Sequence, residues 1–298
     1  MKIKLLLAIS ILLALISCKE EEEEDTIINN IVASDSNAVY LDSNGVTIKA
    51  YDWAKVGDTG RINGVNYTIV DWYSLRALIK TESVITNVCV SKITDMSYLF
   101  DSTSSTYRLS FNQDISSWDV SNVTNMGGMF KNAANFNQSL NNWDVSNVTD
   151  MYDMFYNATS FNAALNNWDI GNVTNMSFMF YNAYAFNQDI SSWDVSNVDI
   201  MSGMFYNTTS FNQPLNNWDV GNVLEMRFMF KKTTAFNQDI SIWDVSSVFS
   251  MDLMFMEASS FNQDLSNWNV SNVFICGAFA ALANNWTLPK PNFTNCTP

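Results

Sequence analysis

Between Phe111 and Phe279 the apolar positions recur with a fixed period of 25 residues and no insertion. Phe stands at 111, 136, 161, 186, 211, 236 and 261, and Trp follows seven residues later at 118, 143, 168, 193, 218, 243 and 268. One copy sets out its apolar residues as Phe136, Leu140, Trp143, Val145, Val148, Met151, Met154 and Phe155. Trp143 and Val145 flank Asp144, an alternation that predicts a short strand with two side chains inward and one outward. Val148, Met151, Met154 and Phe155 are spaced by three and four or by one, which predicts a helical turn on the return path. A unit that cannot bury its own apolar face must stack on its neighbours, so the period predicts a solenoid.

The flanks lose this rhythm. Ala38 to Leu41, the turn residues Asn44-Gly45 and Val46 to Lys49 read as one hairpin, and Asn63-Gly64 before Val65 to Val70 as a second. Leu75, Leu78 and Ile79 then sit at helical spacing behind Asp71, predicting a short helix over 71–81 capped by that Asp. Residues 38–90 are therefore expected to form a small β-rich cap over the first coil. Ile93 to Phe100 is a partial copy of Val123 to Phe130, and the Ser/Thr-rich segment 102–106 is a loop insertion in that first coil. The array is expected to span 91–279 and a C-terminal cap 280–298, with Pro289 and Pro291 inside it.

The first residues read as a targeting segment. Lys2 and Lys4 precede a twelve-residue apolar run from Leu5 to Ile16, too short for a comfortable membrane span. Leu15-Ile16-Ser17-Cys18 matches a bacterial lipobox, so 1–17 is expected to be a lipoprotein signal and Cys18 the acylated residue. Several acyl chains, at about 0.8 kcal/mol per buried CH₂, hold a protein on a membrane far better than one. Residues 18–37 continue as an acidic tether through Glu20 to Asp25. Lys19-Glu20-Glu21-Glu22 resembles the acidic export signal of Bacteroidetes outer-membrane lipoproteins, and that resemblance implies display on the cell surface.

Net charge is −15, which argues against a nucleic-acid partner because no phosphate track could be neutralised. Histidine is absent, so the commonest general base is missing and any metal would depend on oxygen ligands. Cys276 and Cys296 share the C-terminal segment and are the expected disulfide, with Cys89 a buried free thiol; other pairings of the three stay open.

Several columns invite functional readings. The Trp column has the strand parity of Val and is expected to point inward as core, not outward as a sugar platform. The invariant Asn column (112, 137, 162, 187, 212, 237 and 262) is expected to be an internal hydrogen-bonded ladder. Asp119, Asp144, Asp169, Asp194, Asp219 and Asp244 occupy the outward strand position, with Asn269 ending the series. Adjacent carboxylates about 5 Å apart would repel by roughly 0.8 kcal/mol each. Either each Asp closes a local turn, or the row is an acidic stripe that collects calcium or a basic partner. The residues after Met-Phe differ from coil to coil (Lys131, Tyr156, Tyr181, Tyr206, Lys231 and Met256) and give one face a basic and aromatic character.

The spacing Leu-x-x-Trp-x-Val-x-x-Val is similar to the core of leucine-rich repeats. The full text, Phe-Asn-Gln-x-Leu/Ile-x-x-Trp-Asp-Val-Ser-Asn-Val-Thr-x-Met-x-x-Met-Phe, resembles the BspA-like leucine-rich-repeat surface proteins with their 25-residue repeat. The expected fold is thus an α/β repeat solenoid: a leucine-rich-repeat-like right-handed coil with a short parallel strand and a helical turn per repeat. The resemblance implies surface display and adhesion to an extracellular protein or glycan. An enzyme acting on glycan through paired carboxylates is not expected, because the carboxylates are uniform and no one coil is irregular and acid-rich, and no obligatory cofactor is expected. The alternative is a passive surface spacer with no dedicated ligand.

Overall fold

The computed structural model describes residues 37–101 and 110–298. The lipobox, Cys18 and the acidic tether fall outside the described residues, as does the insertion at 102–106. Within 37–90 the chain forms β1 (Val39–Leu41), β2 (Ile48–Ala50), β3 (Thr59–Ile62), β4 (Val65–Ile69), α1 (Trp72–Lys80) and β5 (Val88–Cys89). β1 pairs antiparallel with β2, β3 antiparallel with β4, and β4 parallel with β5.

The two hairpins turn differently. Asn63 (φ 51°) and Gly64 (φ 86°) both adopt the left-handed region, the geometry of a tight two-residue turn, and Ile62 pairs directly with Val65. The Asn44-Gly45 connection is longer than expected. Asn44 Oδ1 accepts from the amides of Val46 and Thr47 at 2.9 Å each, so those residues close the loop instead of starting β2. Helix α1 starts where Asp71 accepts from Ser74 N at 2.8 Å while Ser74 Oγ accepts from Asp71 N at 3.0 Å. Its buried residues Leu75 and Ile79 lie over the first coil. β2 docks on the array through Ile48 N, which donates to Ser117 O at 2.9 Å.

The array itself is a stack of coils with one continuous dry core. Phe155, Phe180 and Phe205 lie face to face at 5.6 and 5.8 Å, and Phe161, Phe186 and Phe211 at 6.1 and 6.0 Å. The indoles join them inside: Trp168 and Trp193 are parallel at 6.3 Å and only 3–4% exposed. Burying an indole requires a partner for its N–H. From Trp143 to Trp268 each Nε1 donates to a carbonyl 28 residues earlier, as Trp168 does to Leu140 O at 2.9 Å and Trp193 to Leu165 O at 3.1 Å, while Trp118 donates to Ile85 O in the cap at 3.3 Å.

The predicted strand and helical turn are replaced by something else. Among the described residues of the array there is one isolated parallel bridge per coil, at Asp150, Asn175, Ile200, Glu225 and Ser250 in the central coils. The amides that a strand would offer are spent locally: Trp143 N donates to Leu140 O at 3.0 Å and Val148 N to Val145 O at 2.9 Å. The return path is not helical, because left-handed residues recur in it, as at Asp153 (φ 56°) and Asn157 (φ 58°) or Phe178 and Asn182 (both φ 55°). Instead, alternate amides reach across to the next coil and the others close turns. Met151, Asp153, Phe155 and Asn157 donate to the carbonyls of Asn175, Ser177, Met179 and Tyr181 at 2.8–3.0 Å, while Met154, Tyr156 and Ala158 donate three residues back. Stacked turns thus do the work that a strand ladder would do.

Side-chain amides bind the coils elsewhere. Asn162 N donates to Asn137 Oδ1 at 2.8 Å, Asn187 N to Asn162 Oδ1 at 2.9 Å, and Asn212 N to Asn187 Oδ1 at 2.9 Å. The expected asparagine ladder is present, but it runs along the rim, where these residues are half-buried or exposed, not inside. A second ladder links Asn132, Asn157, Asn182 and Asn207 through side-chain bonds of 2.8 Å.

The coil geometry continues past the expected boundary at 279. Trp286 takes the place of the repeat Phe, and Thr287 N donates to Asn262 Oδ1 at 2.8 Å in place of the next Asn. Trp286 turns edge-on to Phe261 (4.7 Å, 82°), which ends the parallel stack, and Phe293 packs edge-on against Phe279 at 4.9 Å. A Cys276–Cys296 disulfide holds this end, while Cys89 is buried and free, its thiol pushed up by burial.

Candidate binding surface

A solenoid whose interior is filled presents its ligands with columns of exposed side chains. The Asp column is the first. Its members do not act alike: Asp119 is buried beneath the cap and the other five are exposed. Every one nevertheless makes the same bond, Oδ1 accepting the amide two residues on, at 3.2 Å from Ser146, 3.2 Å from Gly171, 3.0 Å from Ser196, 3.1 Å from Gly221 and 3.0 Å from Ser246. Hydrogen bonds from Ser196 and Ser246, hydroxyl and then amide, hold Asp194 and Asp244 below the usual carboxylate range. Asn269 closes the same turn with a neutral amide, accepting from Ser271 N at 3.2 Å. The turn therefore needs an oxygen and not a charge. Among the described residues no group of three or more His, Cys, Asp or Glu converges to hold a metal ion.

The second column carries the variable residues after Met-Phe, and here the structure assembles a site. Tyr156, Tyr181 and Tyr206 stack face to face at 4.4 and 4.3 Å, with planes 2° and 16° apart. A lysine closes each end of the stack: Lys131 Nζ lies 4.7 Å from the Tyr156 ring centre and Lys231 Nζ 5.4 Å from that of Tyr206. All five residues are half-buried. Since the ring faces cover one another, solvent meets only their hydroxyl-bearing edges. Burial, reinforced by the two flanking phenols, pushes the Tyr181 hydroxyl well above its ordinary pKa, so it stays a proton donor.

The neighbouring residues differ at the two ends of the stack. Lys131 is neutralised by Asp153, a buried carboxylate whose second oxygen has no partner; burial pushes its pKa up against the pull of Lys131. At the other end Arg227 and Lys231 lie over one ring, 4.7 and 5.6 Å from the centre of Phe228. Neither has an ion-pair partner among the described residues, whereas Lys232 is paired with Glu257 at 3.8 Å. Within residues 111–287 the only cationic residues are Lys131, Arg227, Lys231 and Lys232, and all belong to this one segment of the coil.

The sequence pattern alone flagged the column but not its stack, nor Arg227, Phe228 or Asp153. The signal for Asp153 and Phe228 was the position three residues before the column, which reads Gly128, Asp153, Phe178, Gly203, Phe228 and Leu253. Phe178 lies flat over Gly203, where an added Cβ would come within 2.4 Å of the ring, and Tyr98 covers Gly128 in the same way. A third column turns apolar toward the C-terminal end, where Leu224 (43% exposed), Phe249 (38%) and Phe274 (63%) replace threonines.

No curated protein and no solved structure matches the chain. The family described as Mycoplasma protein of unknown function, DUF285, matches residues 73–193 and 185–287. These segments begin in α1 and end at the last coil, so together they take in the whole stack just described. The chain belongs to that family, and its regular 25-residue aromatic and asparagine repeat is the part that carries the membership.

Proposed function

We propose that this chain is a lipid-anchored surface protein whose solenoid binds an extracellular protein or glycan and performs no catalysis. The observation that carries the reading is the contrast between columns. The core residues of every coil are nearly identical, while Lys131, Tyr156, Tyr181, Tyr206 and Lys231 depart from repetition, and with Arg227 and Lys232 they hold all four cations of residues 111–287. A spacer needs only the core; a mixed aromatic and cationic row is the composition of a recognition surface. The reading without catalysis is supported by the Asp column and by Asp189, Asp239 and Asp264, each of which uses Oδ1 in the same kind of local turn.

The resemblance to BspA-like leucine-rich-repeat proteins supports adhesion as the purpose and the cell surface as the place. The lipobox ending at Cys18, followed by the run from Glu20 to Asp25, supports lipid anchoring in the outer membrane of a Bacteroidetes-like cell. The test is a binding screen of the purified full chain, together with globally labelled-palmitate incorporation in wild-type and Cys18→Ala cells. The panel comprises extracellular matrix proteins, mucins and glycans, each with and without chelator. Specific saturable binding to any member supports the adhesion reading. Binding to none leaves the passive spacer as the function.

A further inference from the structure

The stacked tyrosines and the two unpaired cations beside them form one continuous strip along the solenoid. We propose that this strip binds a linear anionic glycan, lying along the solenoid axis with its acidic groups on Arg227 and Lys231 and its hydroxyls on the edges of Tyr206, Tyr181 and Tyr156. The proposal rests on the adhesion reading and names the partner class for it.

Charge is the first argument. The chain carries a net −15, and residues 111–287 confine their four cations to one segment of the coil, two of them without an ion-pair partner among the described residues. Cations held over one aromatic ring, Lys231 half-buried and Arg227 exposed, keep a defined direction, which suits a carboxylate or sulfate. Spacing is the second argument. Rings at 4.3 and 4.4 Å present one phenol per coil in a straight row, and each hydroxyl can donate and accept. An extended sugar chain presents hydroxyls in a comparable row.

An acidic peptide suits the strip less well. Its acidic side chains could meet only the same two cations, and the rest of its recognition would need an unpaired strand edge or apolar anchor pockets. Here the backbone is already committed between coils, with Asn182 N donating to Tyr206 O at 2.9 Å and Asn207 N to Lys231 O at 2.7 Å. The ring faces are covered by one another, so no slot for an anchor remains. Nucleic acid, charged at every nucleotide, would need a longer track of cations than the two that stand without an ion-pair partner here.

The experiment measures affinity of the full chain for hyaluronate, chondroitin sulfate, dextran and poly-glutamate of matched length. Binding to hyaluronate or chondroitin sulfate that weakens with salt and is absent for dextran is expected. The Arg227→Gln/Lys231→Gln variant should bind at least about tenfold more weakly. Lys55→Gln/Lys80→Gln, which changes cations far along the sequence in the cap, should bind as the wild type does. Tyr181→Phe, which keeps the stack and removes one hydroxyl, should bind several-fold more weakly. Unchanged thermal melting shows that each variant is folded.

Full binding by the Arg227→Gln/Lys231→Gln variant, an equal loss in Lys55→Gln/Lys80→Gln, or undiminished binding by Tyr181→Phe overturns the proposal. So does equal affinity for poly-glutamate, or no affinity for either anionic glycan. The adhesion reading survives any of these if the broader screen still finds a ligand, so the two fail separately.

Discussion

Replacing Phe180 by Ala removes a ring from the middle of the spine, and the structure gives the size of the effect. Phe180 is fully buried, lies 3.9 Å from Phe186, and is sandwiched between Phe155 at 5.6 Å and Phe205 at 5.8 Å. Loss of a buried phenyl with incomplete collapse costs about 3–5 kcal/mol. The site cannot collapse easily, because the coil-to-coil bonds on both sides hold the neighbouring rings at the backbone repeat. That places the expected loss toward the upper end. A solenoid is coupled only between neighbours, so damage at a central coil weakens two interfaces and should partly uncouple the halves. Urea unfolding followed by far-ultraviolet circular dichroism should show a large drop in midpoint and a broader or two-step transition. Phe274→Ala is the control, since that ring is 63% exposed and its loss should change stability by no more than about 0.5 kcal/mol. A Phe180→Ala cost below about 1 kcal/mol, or one equal to the Phe274→Ala cost, would refute the dry-spine account.

Other expectations follow from the polar columns and the ends. Asp169→Asn should leave stability within about 0.5 kcal/mol of wild type, because Asn269 closes the same turn, whereas Asp169→Ala should lose about 1 kcal/mol with the acceptor; thermal melts that rank the two alike would contradict the turn assignment. Asp153 has its folded pKa raised by burial, so the native state binds the extra proton and stability from this group falls as pH rises from the ordinary 3.8 through the folded value. Comparing melting temperature against pH for wild type and Asp153→Asn should therefore show a shallower decline in the variant; the groups around this carboxyl are Lys131, Tyr152 and Asp101. Cutting the Cys276–Cys296 link, which spans 20 residues, with a double Ala variant should cost about 3 kcal/mol and raise amide exchange first in the last coil. Uniform exchange along the array would contradict a local staple.

Much of the architecture could be read from residue spacing. The period, the inward Trp and Met columns, the Asn63-Gly64 turn and the Asp71 cap all depend on local chemistry or on strict recurrence. The path of the backbone between those points could not be read. Spacings of three and four at Val148, Met151, Met154 and Phe155 suit a helix and a chain of tight turns equally well, since both return a side chain to one face. What separates them is the left-handed backbone at Asp153 and Asn157, and a non-glycine residue there gives no strong sequence signal. The Asp column was legible as a column, but its purpose depends on where each oxygen points.

The sequence by itself determined that this is a stacked repeat with an aromatic and thioether core, because burial is dictated by which side chains recur. Only the tertiary structure decided how the coils adhere and what they display. Hydrogen bonds between residues 24 to 28 apart, and the meeting of Arg227, Phe228, Lys231 and three tyrosines, exist only once successive coils are laid on one another. Residue type fixes what a side chain can do, but coil-on-coil stacking alone chooses its neighbours.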